Sequence, residues 1–362
     1  MLLVKKLFLL FFLIFRVTIT PQEKTDLVIE LKGVQVTAIT SDDDYLWAAT
    51  NGSGIFRYSF TNKSWKQYST ANQNLQMDFF HSIAASKDFV WAGSTDGLFI
   101  LDKKRENWTR RKFGLGGQLA NWIRSVVYDK DEDAVWIGRF KYLSKYELKT
   151  KRFIDYDLTV RNIEKSNSIK TLAVEGDSIL WIGTEAGLHR YNKSKKLNDN
   201  FTTLFYDNRL NYFNGEGEQI SVSSLLPDRN FLWIGLDEFL TSERPEFNIG
   251  GLFRFNHKNE WLRNDEKNGL PANGVYSMER TGNYIWVSLY QFGKSTKELF
   301  GRGLALLDRK SNKIIRIQDD RIPQTIHAIY FDQINLWLGT DNGLIKINFI
   351  NDLAKWNNRV KK

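Results

Sequence analysis

The chain has 362 residues, is 42% hydrophobic and 14% aromatic, and carries a formal charge of +9, so it is long enough to bury a sizeable core. It has no cysteine, which excludes a disulfide framework, a lipid-modified cysteine and any Cys-ligated metal. Its basic residues are spread through turns, usually beside Asp or Glu, with no long basic run apart from Arg359–Lys362, which argues against a nucleic-acid partner and leaves an acidic ligand compatible.

Met1–Thr20 opens with Lys5 and Lys6, followed by the apolar run LFLLFFLIF and then Arg16. A basic start and a short apolar run predict a secretory leader, and the run is too short to span a bilayer, which needs about 20 residues. Taking the charges of Lys5, Lys6 and Arg16 from +9 leaves +6 for the exported part, which is expected to have no membrane span. Next, Asp26–Lys32 (DLVIELK) alternates apolar and polar residues. It is a candidate outer strand for the last repeat; a strand around Trp356 is the alternative.

From Val34 onward one unit recurs. Its marker tryptophans are Trp47, Trp91, Trp136, Trp181, Trp233, Trp286 and Trp337, spaced 44, 45, 45, 52, 53 and 51 residues apart. Each follows an apolar residue, and each is preceded by another short apolar run and a turn rich in Asp, Asn, Gly or Ser. Such a pair predicts a hairpin. Gly54-Ile55, Gly97-Leu98, Gly187-Leu188, Gly251-Leu252, Gly303-Leu304 and Gly343-Leu344 then open a third strand, and segments such as Ser64–Tyr68 and Arg152–Tyr156 supply a fourth. In the third unit Tyr142-Leu143 stands where Gly-Leu is usual, and WIGRF where WIGT is usual. No run of ten or more residues has helical periodicity. The pattern predicts an all-β chain, a seven-bladed β-propeller of four-stranded antiparallel blades. The leader occupies 1–20, the propeller 21–357 and a basic tail 358–362. The blades end near Leu75, Leu119, Ile163, Glu216, Leu270, Ile322 and the C-terminus.

The phrases LWIGTEAGLHRY, LWLGTDNGLIKI and NGLPANGVYSM carry a resemblance. Over about residues 34–350 the repeat resembles the two-component regulator propeller repeat, the unit of extracytoplasmic sensor regions of hybrid histidine kinases. The resemblance implies a signalling module that reports on a ligand, often a carbohydrate. This chain has no kinase or DNA-binding segment after Trp356, so a stand-alone binder, a partner of a separate receptor or a fragment is expected.

Blades five and six are enlarged between their second and third strands, by Leu236–Gly250 and Ser288–Arg302. In an up-and-down blade that turn shares a face with the blade-to-blade connections, so both insertions are expected beside Gly269–Gly274. Loops on a rigid scaffold commonly hold binding residues. Glu238, Arg244, Phe247, Tyr290, Phe292 and Lys294 are the candidates there, for a ligand or a protein partner; the alternative is a solvated decoration. Aligned first strands give a second set. One column reads Thr37, His81, Arg124, Lys170, Ser223, Tyr276 and His327, polar in every blade. A polar ring at the mouth of the central channel suits a carboxylate, sulfate or phosphate, because charge-assisted hydrogen bonds are the strong ones. The bland reading is a lining for a water-filled channel.

Catalytic and cofactor motifs are absent from the sequence. The four histidines, His81, His189, His257 and His327, have no zinc spacing, and no GxSxG elbow or Walker loop is present. Asp42–Asp44 and Asp129–Asp133 lack calcium-loop spacing and are expected to cap turns. No metal or cofactor is expected. As alternatives, a lyase would need His81, Tyr276 and His327 together near the axis. A glycosidase would need facing carboxylates, for which Asp237, Glu238 and Glu298 are available. A protein-binding scaffold is the third reading. The preferred expectation is an exported binding module for an acidic small molecule or an oligosaccharide.

Overall fold

The computed structural model describes residues 26–349 except 73 and 198–202. The expected leader, the basic tail and Trp356 lie outside the described residues. Seven antiparallel sheets of four strands each form the molecule, which is the expected seven-bladed propeller. In blade four, for example, the strands are Ile169–Glu175, Ile179–Thr184, Gly187–Asn192 and Thr203–Tyr206, hydrogen-bonded in chain order. The last blade departs from chain order. Its outer strand is Leu27–Glu30, paired with Gly343–Ile347 in the register Leu27↔Ile347 to Glu30↔Leu344. The alternating DLVIELK segment therefore closes the ring and covers the edge of Gly343–Ile347.

The marker phrase LWIGT has a physical reason at each letter. The seven marker tryptophans are all at most 1% exposed, wedged between neighbouring blades. A buried indole N–H needs an acceptor. Six of them have one just upstream: Asp42 for Trp47 (2.7 Å), Asp129 for Trp136 (3.3 Å), Glu175 for Trp181 (2.6 Å), Asp228 for Trp233 (3.3 Å), Thr281 for Trp286 (2.7 Å) and Asp332 for Trp337 (2.7 Å). The carboxylates of Asp42 and Asp129 are thus committed to indoles, and also to Lys103 (2.5 Å) and Lys193 (2.7 Å). The glycine of the phrase sits where the next blade presses in. A Cβ on Gly183 would come within 2.6 Å of Val222, and one on Gly138 within 2.6 Å of Ile169. The final hydroxyl closes the next turn: Thr50, Ser94, Thr184 and Thr340 each donate to the carbonyl of the Gly that opens the third strand, at 2.7–2.9 Å.

Blade three keeps four strands despite its altered phrase. Tyr142 adopts the left-handed backbone, φ 77°, that glycine supplies in the other blades. Arg139 replaces the hydroxyl, is fully buried, and reaches Asp155 at 3.0 Å beneath the ring of Phe113.

The enlargements of blades five and six are not loops. They continue the hairpins: the strands are Phe231–Phe239 with Asn248–Phe255, and Tyr284–Phe292 with Leu299–Asp308. The two extensions hold each other. The rings of Phe239 and Phe292 lie 4.5 Å apart, and the Glu238 carboxylate accepts the Phe292 amide N–H at 2.7 Å. Continued pairing satisfies the backbone groups that a free loop would leave to water.

Candidate functional site at the channel mouth

The polar column of the first strands is a column of β-bulges. In all seven blades the register skips one residue of the first strand, and the skipped residues are Thr37, His81, Arg124, Lys170, Ser223, Tyr276 and His327. A bulge re-aims its side chain. Here most of the ring turns sideways to the next blade as well as facing the channel. Thr37 donates to the Phe80 carbonyl at 2.7 Å, Arg124 to Glu185 at 2.8 Å and to Ser168 at 3.2 Å, and Lys170 is ion-paired with Asp237. His81 faces Trp122, ring centroids 6.2 Å apart, and Tyr276 faces His327 at 5.5 Å. His327 itself meets Asp341 at 2.5 Å and Gln35 at 3.2 Å.

One side of this ring opens into a cavity of about 430 Å³, in the range that holds one small ligand. Lys170, Glu185, Ser221, Asp237, Glu238 and Tyr290 supply its polar lining, and Phe239, Phe247 and Leu299 its apolar lining. Asp237 is the hub. It is bonded to Lys170, accepts Ser221 Oγ at 2.5 Å, and accepts the Tyr290 hydroxyl at 3.0 Å. Burial pushes its carboxyl up, but Lys170 and the two hydroxyls outweigh this and hold it below the usual carboxylate range. Tyr290 is 3% exposed: its phenol is pushed well up by burial and by Asp237, so it stays a donor. Glu238 is pushed above the usual range by burial, although Phe292 and Asn273 hydrogen-bond to it. Asn273 belongs to the connection between blades five and six, so that connection and both hairpins share one face, as the topology requires.

A second cavity, of about 510 Å³, adjoins the first; Lys165 and Phe247 line both. Its walls include Asp207, Arg209, Glu218, Gln219 and Arg244. Arg244 lies 3.7 Å over the Phe247 ring and donates to Glu218 at 2.8 Å.

No family model matches the chain. A curated relative, histidine kinase P4 of Formosa agariphila, is 23% identical; the match takes in 78% of this chain and 24% of the kinase. The extracellular domain of a protein described as a hybrid two-component system from B. thetaiotaomicron superposes with a TM-score of 0.66 at 19% identity, over 90% of this chain and 40% of that chain. The chain shares the β-propeller fold of that extracellular domain. It spans about a quarter of the kinase and two-fifths of the solved extracellular chain. Virginiamycin B lyase from Staphylococcus aureus has the fold too, with a TM-score of 0.65 at 12% identity over 90% of this chain and 99% of that one. Identities this low carry the fold and not the chemistry.

In this seven-bladed propeller the candidates from the sequence fall into three groups. Lys170, Glu238 and Tyr290 meet in the first cavity, with Arg244 in the second. Tyr276 and His327 lie beside it: the Tyr276 ring is 4.4 Å from Tyr290, and burial with Asp341 nearby pushes its phenol up to about 12. His81 and Arg124 sit on the other side of the mouth, Arg124 over the stacked rings of Trp122 and Phe140. Burial, then Arg124, pushes the His81 imidazolium down, keeping the ring neutral. The lyase set is thus divided, because His81 contacts Trp122 while Tyr276 and His327 contact each other. Lys294 is exposed and lines neither cavity. The carboxylates that answer the cations, Glu185, Asp237 and Asp341, share one position: each lies four residues after its marker tryptophan. Reading that column, which continues with Asn51, Thr95, Phe140 and Tyr290, would have found them. Among the described residues no cluster of His, Cys, Asp or Glu is placed to hold a metal ion, and no helix is long and apolar enough to cross a membrane.

Proposed function

We propose that this chain is an exported recognition module, the sensing part of a two-component-type signalling system, and that it binds an oligosaccharide in the cavity at the channel mouth. The observation that carries the reading is convergence. A bulged inner-strand cation, Lys170, and two residues of the enlarged hairpins, Glu238 and Tyr290, line one cavity with the aromatic rings of Phe239 and Phe247. Aromatic faces beside paired donors and acceptors suit a hydroxyl-rich ligand with apolar C–H faces. The paired charges matter here. Lys170 and Asp237 satisfy each other in the empty site, so each presents its remaining capacity to hydroxyls. Arg124, paired with Glu185, sits beyond the Glu185 wall and extends the polar rim; an acidic group on the ligand would compete with Glu185 for it.

Export is supported by the basic-apolar leader at 1–20 and by the extracellular origin of the solved relative. The two hairpins, as an exposed pair on the same face, would offer the contact to a signalling partner once ligand has bound.

The test is a thermal-shift screen of the protein against neutral and acidic oligosaccharides, followed by calorimetry on each hit. A ligand that binds only the folded state raises the melting temperature. The expected result is a hit that weakens at least tenfold in the Arg124→Ala/Lys170→Ala double variant and in Tyr290→Phe. A hit that binds those variants unchanged would refute the site, and silence across the panel would refute the ligand class.

A further inference from the structure

Five carboxylates, Glu185, Asp237, Glu238, Asp207 and Glu218, line the two adjoining cavities. Four cations line them. Lys170 is paired with Asp237, Arg209 with Asp207 at 2.8 Å, and Arg244 with Glu218 at 2.8 Å. The fourth is Lys165, on the short 3-10 turn Glu164–Asn167. Its Nζ lies 5.6 Å over the Phe247 ring and, among the described residues, has no carboxylate partner. It is also one of the two residues common to both cavities.

From this juxtaposition we infer that the two cavities are consecutive subsites for one linear acidic oligosaccharide, which crosses Phe247 and sets a carboxylate or sulfate against Lys165. The inference rests on the recognition reading above and goes beyond it by assigning a second subsite and a charge-reading residue. Each cavity alone has room for a small ligand, so filling both requires a chain-like one. The crossing point is where the unpaired ammonium lies, so the anionic group belongs in the middle of the bound segment rather than at its end. The paired cations on either side already have carboxylates, and a second anion there would displace one of them. Lys165 is exposed, and its ammonium has three donors with nothing to displace but water.

The test is calorimetry on the whole chain with uronic-acid oligosaccharides of two and of six sugars, and with neutral oligosaccharides of the same lengths. The six-sugar acidic ligand is expected to bind at least tenfold tighter than the two-sugar one. Lys165→Met should erase the preference for acidic over neutral ligands, and Lys165→Arg should keep it. Phe247→Ala, with Phe247→Leu as a milder variant that keeps the hairpin packed, should remove the gain with length, bringing six-sugar and two-sugar ligands to the same affinity. If two- and six-sugar ligands bind equally, or Lys165→Met keeps the acidic preference, this inference is overturned while the recognition reading stands. If no oligosaccharide of either charge or length binds, both fall together.

Discussion

Replacing Lys170 by Met should turn the Asp237 hub from a stabilising group into a destabilising one, with a reversal that pH reads directly. In the native chain Asp237 is held below its unfolded value, so its contribution is present above the unfolded carboxylate pKa and is lost as the pH falls through the lower, folded one. Without Lys170 the burial that already opposes ionisation is no longer outweighed. Ser221 and Tyr290 still donate, but the ammonium is gone. The folded carboxyl then titrates above its unfolded value, and stability falls as the pH rises between the two. Breaking a fully buried pair costs about 3–5 kcal/mol. Here the side chains of Lys170 and Asp237 retain 20% and 19% exposure, and two hydroxyl donors remain, so about 2 kcal/mol at pH 7 is expected. For a chain of this length that is a fall of about 3 °C in melting temperature. The assay is denaturant unfolding of the native protein, Lys170→Met, Asp237→Asn and the double variant at pH 4, 5.5 and 7. The deficit of Lys170→Met should grow from pH 4 to 7, and the double variant should recover part of it. A deficit that is flat with pH would refute the idea that Lys170 keeps Asp237 ionised.

Three other outcomes follow from the packing. Asp228, fully buried, accepts from Arg280 and Arg309 at 2.5 Å each and from the Trp233 indole at 3.3 Å; Asp228→Asn should cost about 3–5 kcal/mol, read by thermal unfolding. Gly183→Ala drives a Cβ to within 2.6 Å of both Val222 and Thr171, and should cost about 1–3 kcal/mol, whereas Gly176→Ala, with open space around it but φ 57°, should cost about 1–2 kcal/mol through its backbone alone. Deleting Leu27–Glu30 bares the Gly343–Ile347 edge; light scattering should then show self-association that the full chain lacks.

The blade count was legible because the unit must satisfy the same constraints seven times. A tryptophan fills every wedge, a small residue (glycine in five blades, Ala49 and Ser288 in the others) admits the next blade, and in four blades a hydroxyl closes the turn, so the phrase recurs with few changes. The polar column was legible for a related reason: the residue opposite no partner in a bulge cannot hide in the sheet. What it bonds to was not legible. Arg124 and Lys170 read as an unfilled anion site because their carboxylates, Glu185 and Asp237, come from the following blades, 61 and 67 residues away. The hairpin extensions read as loops because DEFLTSERPEF, with its Pro and charges, breaks the alternation. The pairing of Phe239 with Asn248, which survives it, is held from outside the blade by Phe292. The second cavity left no trace, since it joins residues of three segments, around Lys165, Asp207 and Arg244, that share no pattern.

The closing strand sets a schedule for synthesis. Leu27–Glu30 emerges early, yet its partner is complete only at Ile347, 317 residues after Glu30. At about 5–20 residues per second that is a wait of roughly 16–63 s, during which an alternating β segment has no native mate. Every other blade can zip from neighbours as they appear. The seventh is assembled from the first and last described strands of the chain, so a nascent chain stalled anywhere before its last hairpin is an open crescent with two sticky ends. Quality control that recognises unpaired strands would therefore find its target at Leu27–Glu30, and a defect in the last blade would be felt there, more than 300 residues upstream.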